Sequence, residues 1–174
     1  MDLRSEIRRI PEFKGVVFWD ICPLLKDKDA FRECILKLAD HYREKEIEVI
    51  ASSEARGFIL GAALAYELGV GFVPIRKEGK LPSKVVGLTF QKEYESDTIE
   101  MQEDAIKPGE KVLLIDDVLA TGGTIKANAE LVEKVGGEIV GMGFMIELDY
   151  LNGREKLGDK YELFSLINIK TSAG

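Results

Sequence analysis

Cysteine and histidine are scarce in this chain: 174 residues hold two cysteines, Cys22 and Cys34, and one histidine, His41. Two cysteines without metal-like spacing argue against a disulfide framework and against a zinc site, so both are expected as reduced, partly buried thiols. His41 lies between a helical stripe and the charged stretch Arg43 to Glu46 and reads as an exposed helix-end residue, not a catalytic base. No apolar run approaches the roughly 18 residues of a membrane span, and the amino terminus lacks a signal-peptide core, so a cytoplasmic protein without membrane partners is expected. Cations are in the minority, 24 Lys and Arg against 31 Asp and Glu, for a net charge of −7. That balance argues against nonspecific nucleic-acid binding, which draws its affinity from cations that neutralise phosphates, while leaving room for a local basic site. Internal repeats and low-complexity segments are also absent.

With 45% hydrophobic and 32% charged residues, the chain has the profile of one globular domain able to bury a substantial core. Residues 1–170 are expected to form that domain, with Thr171 to Gly174 as a tail or cloning remnant. Phe31, Ile35, Leu38, Ala39 and Tyr42 recur at helical spacing, which predicts an amphipathic helix over Asp29 to Glu44. Ile47 to Ala51 reads as a buried strand. Phe58, Ile59, Ala62, Ala63 and Tyr66 give a second helical stripe that closes near Gly69, and Phe72 to Ile75 gives the next strand. After an interruption from Arg76 to Glu110, the pattern resumes with a strand over Lys111 to Ile115, a helix over Gly123 to Val135 and a strand over Glu138 to Ile146. This alternation implies an α/β fold with a mostly parallel central sheet flanked by helices. The 35 residues of this interruption, without regular helix inside a compact domain, suggest a lid or hairpin, whose strands would be Val85 to Phe90 and Thr98 to Met101.

The most informative stretch is Val112 to Thr124, Val-Leu-Leu-Ile-Asp-Asp-Val-Leu-Ala-Thr-Gly-Gly-Thr. Its apolar residues suit a covered strand of a parallel sheet, and ligands gather at the carboxyl ends of such strands. Asp116 and Asp117 offer acceptors to vicinal hydroxyls. Ala120, Thr121, Gly122, Gly123 and Thr124 form a small-residue turn that presents amides and hydroxyls at the start of a helix, where an anion such as a phosphate monoester is favoured. The whole reads as a sugar-phosphate cradle. Ser52 to Phe58 is a second strand-to-helix junction at which backbone amides and Arg56 could hold a diphosphate. A third cluster, Arg76-Lys77-Glu78-Gly79-Lys80, places three cations at the base of the expected lid.

The acid pair with its Thr-Gly-Gly-Thr turn resembles the phosphoribosyl diphosphate (PRPP) signature of the type I phosphoribosyltransferases. The ordered set of segments is more specific. Gly15-Val16-Val17-Phe18-Trp19-Asp20-Ile21, Glu54-Ala55-Arg56-Gly57-Phe58, Arg76 to Pro82 with Glu93-Tyr94, Glu147-Leu148 and Gly153-Arg154-Glu155-Lys156-Leu157 resemble the adenine phosphoribosyltransferases from Gly15 to about Ile169. The resemblance implies that fold, with a mobile β-hairpin lid and a small base-binding hood. It implies transfer of a phosphoribosyl group from PRPP to N9 of adenine, giving AMP and diphosphate, with Mg²⁺ held mainly by substrate and water and no direct protein ligand. By the same resemblance, adenine sits between Phe18 and Leu148 with the backbone of Val17 and Trp19 reading its edge. Asp116 and Asp117 hold the ribose, Ala120 to Thr124 the 5′-phosphate, and Glu54, Ala55, Arg56, Arg76, Lys77 and Lys80 the diphosphate. Glu93 and Tyr94 act from the lid. A cis peptide at Glu54-Ala55 and a homodimer are implied as well.

Trp19 departs from the pattern, since many relatives carry a basic residue there. Two rival readings stand beside this one. A related transferase for hypoxanthine, guanine, xanthine or orotate would share the PRPP motif but not the Val17 to Asp20 and Glu147-Leu148 segments. A regulator that binds PRPP without catalysis would be expected to carry a nucleic-acid-binding part, for which the chain has no appended helix-turn-helix and no basic face evident in its composition.

Overall fold

A computed structural model describes residues 2–91 and 96–172 of the chain. A two-stranded antiparallel sheet, β1 (Arg8–Phe13) and β2 (Val16–Asp20), is followed by helices α1 (Cys22–Lys26) and α2 (Lys28–Tyr42). Then come β3 (Val49–Ser53), α3 (Arg56–Leu68), β4 (Gly71–Lys77), β5 (Val85–Gln91), β6 (Ser96–Gln102), β7 (Lys111–Leu119), α4 (Gly123–Lys134), β8 (Glu138–Leu148), α5 (Gly153–Leu157) and β9 (Leu163–Ile169). The main sheet has the order β5-β6-β4-β3-β7-β8-β9. Its five strands from β4 to β9 pair in parallel, and β6 joins β4 antiparallel to append the β5–β6 hairpin at one edge.

Strand alternation divides the core. On β7, Leu113 and Ile115 face the layer of α1, α2 and α3, while Val112 and Leu114 face the layer of α4. On β3, Ile50 joins the first layer, and Val49 and Ala51 the second. Asp27 caps α2 by accepting from the amides of Asp29 (3.0 Å) and Ala30 (2.8 Å), so this helix starts one residue before the sequence pattern places it. Its predicted stripe is buried, Phe31 partly, with Cys34 added to it. Both cysteines are free thiols, and burial pushes Cys34 up to about 12. His41 is exposed in the last turn of α2, stacked on Phe164. No helix among the described residues is long and apolar enough to cross a membrane.

Three expectations need correction. The strand after α2 runs from Val49 to Ser53, not from Ile47 to Ala51, because Ser52 and Ser53 remain paired with Pro74 and Ile75. β7 does not stop at Ile115. Asp116, Val118 and Leu119 pair with Phe144, Ile146 and Glu147, which places both carboxylates inside the strand's last half. The buried face of α3 is Gly57, Leu60, Gly61, Leu64 and Ala65, whereas Ile59 and Tyr66 of the predicted stripe point outward, Tyr66 90% exposed. The cause is close approach to the sheet: a Cβ on Gly61 would lie 2.2 Å from Ser52 Oγ, and one on Gly57 2.8 Å from Asp116 Oδ1. The expected hairpin is present as β5 and β6, rooted in the sheet. Arg76 and Lys77 pair with Glu100 and Ile99, and Ile99 and Met101 are buried.

Candidate functional site

The carboxyl ends of β3 and β7 open into a cavity of about 1090 Å³. Its floor carries Asp116 and Asp117, one wall the turn Ala120 to Thr124, another the Ser53-Glu54-Ala55-Arg56 junction, and its roof Val17, Phe18 and Trp19 of β2, with Leu148 at the end of β8. The sequence elements singled out for sugar, phosphate, diphosphate loop and base thus meet in one space, although up to 131 positions of chain separate them. The parallel register explains this for β3, β7 and β8, which deliver their last residues to the same edge, while β2 covers that edge from the separate antiparallel sheet.

Asp116 and Asp117 differ in surroundings. Asp116 Oδ1 accepts from the amide of Asp117 at 2.9 Å. Burial first, and then the neighbouring Asp117 charge, push the Asp116 carboxyl well above the ordinary carboxylate range. Asp117 is buried at 7% exposure, and its Oδ2 stands 2.7 Å from Arg56 Nε. That contact is a close ion pair without hydrogen-bond alignment, so the oxygen keeps unused acceptor capacity. Arg56 therefore lines the cavity beside Asp117, with its guanidinium also 5.0 Å from the Phe18 ring centre. An arginine at the first turn of α3 is drawn to the nearest carboxylate in a low-dielectric pocket.

The turn fits an anion. Gly122 adopts φ +78° as the residue preceding α4, a conformation for which glycine is suited, and the turn lines the cavity. Among the described residues, no carbonyl or side-chain oxygen accepts from the amides of Thr121, Gly122, Gly123 or Thr124. A Cβ on Gly153 would lie 2.2 Å from the Ala120 carbonyl oxygen, and one on Gly122 2.6 Å from the Gly153 carbonyl oxygen, so the start of α5 backs the turn without side chains between. Within the junction between β3 and α3, the Glu54-Ala55 peptide is cis, as the resemblance implies.

Arg76, Lys77 and Lys80 lie off the cavity wall. Arg76 Nε donates to Glu54 Oε2 (2.9 Å) and its guanidinium also to the Lys80 carbonyl, while the Lys77 amide donates to Glu54 Oε1 (3.1 Å) and its ammonium faces Asp97 at 3.6 Å. Burial would raise the Glu54 carboxyl, but these donors outweigh it and hold the group below its ordinary range. The cluster thus secures the cis junction from behind. Composition could not reveal this, because the acid that draws the cations, Glu54, is 22 residues away in sequence. Glu93 and Tyr94 fall outside the described residues; Gln91, just before them, lines the cavity.

Trp19 is 6% exposed, packs in the first core layer and leaves its indole N–H without a partner among the described residues. Glu147 is the buried hub next to Leu148: it accepts from Arg154 Nε (2.8 Å), Arg154 Nη2 (2.6 Å), Ser165 (2.7 Å) and Asn168 (3.4 Å). The sequence reading missed Ser53, whose hydroxyl accepts from buried Asn128 at 2.6 Å, and Lys156, which lines the cavity from α5. Lys156 sits inside a segment already quoted for its resemblance, and helical spacing from Gly153 was the signal that could have found it.

Comparison with known proteins agrees with this geometry. The phosphoribosyl transferase domain family matches residues 24–173. The adenine phosphoribosyltransferase of Halothermothrix orenii is 53% identical over 169 residues, 96% of this chain and 99% of that protein. The crystal structure of adenine phosphoribosyltransferase from Thermoanaerobacter pseudethanolicus superposes with a TM-score of 0.93 at 47% identity, covering 97% of this chain and 98% of that one. The Giardia lamblia enzyme complexed with 9-deazaadenine gives 0.92 at 41% identity, covering 98% and 97%. Cavity, motif order and full-length similarity converge: the chain belongs to the adenine phosphoribosyltransferases of the phosphoribosyl transferase domain family.

Proposed function

We infer that the protein transfers the 5-phosphoribosyl group of PRPP to N9 of adenine, releasing diphosphate and forming AMP. The observation that carries this reading is one cavity in which an acid pair, an open-amide turn at a helix start and an aromatic-aliphatic slot stand together. The Giardia relative, in complex with 9-deazaadenine, supports adenine for the slot of Phe18 and Leu148. In that slot the backbone of Val17 and Trp19 meets the edge of the purine.

Rupture of the anomeric C–O bond builds positive charge on the ribose and negative charge on the departing diphosphate. Asp116 and Asp117 orient the 2- and 3-hydroxyls and lie on the side of the developing cation, and losing one such preorganised contact lowers rates by about 100- to 1,000-fold. The junction amides at Glu54 and Ala55 and the Arg56 guanidinium face the leaving group. Binding of the ribose hydroxyls at Asp117 competes with Arg56 and frees it for the diphosphate. Arg76 and the Lys77 amide brace the junction through Glu54, and Arg76, Lys77 and Lys80 are proposed to take part of the leaving-group charge. Glu93 is proposed to manage the imidazole proton of adenine, and Tyr94 to keep water from PRPP. Glu93→Ala leaving the turnover rate unchanged would remove that residue from the mechanism.

Among the described residues no group of three or more His, Cys, Asp or Glu side chains is placed to hold a metal ion. Two cavity carboxylates suit a cation that arrives on substrate oxygens and keeps its water, as Mg²⁺ does. When bound, it supplies charge neutralisation for the diphosphate. We further propose that residues 1–170 act as one domain and that two copies pair, with the exposed Ile59 and Tyr66 of α3 as an apolar face available for contact.

The test is conversion of labelled bases by the purified protein with PRPP and Mg²⁺. Adenine should yield AMP, with hypoxanthine, guanine and xanthine far slower. Preference for a 6-oxopurine would overturn the base assignment, and absence of diphosphate release with every base would overturn the reaction.

A further inference from the structure

We propose that Lys156 is a further substrate-binding residue, closing the 5′-phosphate site from α5 opposite the amides of the Thr121 to Thr124 turn. The inference rests on the reading of that turn as the phosphate site and adds a residue to it.

Three observations carry it. First, the cavity wall holds two cations among the described residues, Arg56 and Lys156. Arg56 is paired with Asp117, whereas Lys156 makes no ion pair or hydrogen bond among the described residues. Second, its position is defined. Lys156 Nζ stands 3.7 Å from where a Cβ on Gly123 would lie, directly over the first residue of α4. Gly123 having no side chain leaves the ammonium and the α4 amides facing one space. Third, α5 cannot drift. Gly153 is fixed by backbone contact with Ala120 and Gly122, Leu157 is buried in the second core layer, and Arg154 is tied to Glu147 by two hydrogen bonds. Three residues on from Gly153, Lys156 rises on the same helical face toward the turn.

The chemistry suits a phosphate monoester. Amides at a helix start supply directed hydrogen bonds but only partial charge, and a dianion in an otherwise acidic cavity needs a full positive charge. A lysine provides this as a compact point charge on a flexible stem. The same ammonium gives no advantage to a nucleoside that lacks the phosphate, so Lys156 should set the affinity difference between AMP and adenosine.

Calorimetric titration of AMP, ribose 5-phosphate and adenosine into wild type, Lys156→Met and Lys156→Arg tests this. Lys156→Met should weaken AMP and ribose 5-phosphate by about 10- to 100-fold, the range for a lost hydrogen bond to a charged group. Adenosine should bind as before, Lys156→Arg should recover most of the loss, and the melting temperature should not move. If wild type prefers AMP to adenosine and Lys156→Met keeps the same preference, Lys156 has no such role while the phosphate site stands. If wild type itself does not distinguish AMP from adenosine, the reading of the turn falls and this inference falls with it.

Discussion

Asp116 shows how a residue proposed to bind substrate can work against the fold that holds it. Its carboxyl is raised above the ordinary 3.8, by burial and then by the charge of Asp117. A raised folded-state pKa means that the folded protein binds the proton more tightly than the unfolded chain, so its contribution is favourable at low pH and is lost as pH rises through the folded value. At neutral pH the ionised group therefore destabilises the fold. Asp116→Asn, which can still accept from the Asp117 amide, should raise the melting temperature at neutral pH while cutting kcat/KM for PRPP by about 100-fold or more. Ribose hydroxyls donate best to the ionised acid, so PRPP affinity should increase with pH in the wild type, and this component should vanish in the variant. A melting temperature lowered by Asp116→Asn would contradict the account.

At the scale of elements, α5 is the backing plate of the turn proposed to hold the phosphate. Adding one methyl at Gly153 would press on the Ala120 carbonyl at 2.2 Å and the Gly122 amide at 3.0 Å, both backbone atoms with little freedom to yield. Gly153→Ala should therefore raise KM for PRPP by at least about tenfold, with overpacking strain of about 1–3 kcal/mol in stability. An unchanged KM would show that the turn is not set by this contact. The α3 helix makes the matching point about what periodicity can reveal. Its large apolar residues advertise a stripe, yet the side against the sheet is marked by Gly57 and Gly61, which contribute almost nothing to a hydrophobic pattern. What the helix needs there is absence of volume, and that depends on Ser52 and Asp116 across the interface. The end of β7 was hidden for a similar reason: two carboxylates look like a strand terminus until β8 is seen to pair beside them as far as Glu147. By contrast, the order of the elements from α2 to β8, the hairpin strands and the Thr-Gly-Gly-Thr turn were legible, since they rest on local spacing and turn chemistry.

Across the whole molecule, long-range pairs decide what the segments become. Glu147 joins β8, α5 and β9 through Arg154, Ser165 and Asn168. Burial opposes its charge, yet these donors prevail and keep the carboxyl below its ordinary 4.5. A depressed folded-state pKa gives stability that is present above the unfolded value and disappears as pH falls through the folded one. Glu147→Gln should cost about 1–3 kcal/mol at neutral pH, less than a fully buried pair because Arg154 keeps 46% of its side chain exposed. The gap in melting temperature between wild type and variant should narrow below pH 4.5. The outward face of α3 bears on assembly: if copies pair there, Tyr66→Glu should shift the sedimentation coefficient from dimer to monomer, and an unshifted dimer would place the interface elsewhere.

The Arg76–Glu54 and Arg56–Asp117 pairs belong to this same scale. Cations that composition assigned to a ligand are held by acids distant in sequence, and only the folded chain brings those partners together. The central claim is that the acid pair and the open-amide turn jointly grip a ribose 5-phosphate beneath the base slot. A crystal structure of the protein with AMP tests it most directly. The account predicts the phosphate on the amides of Thr121 to Thr124, the ribose hydroxyls on Asp116 and Asp117 with Arg56 displaced from Asp117, and adenine between Phe18 and Leu148. AMP bound elsewhere, or bound with the turn amides unused and the Arg56–Asp117 pair intact, would contradict it.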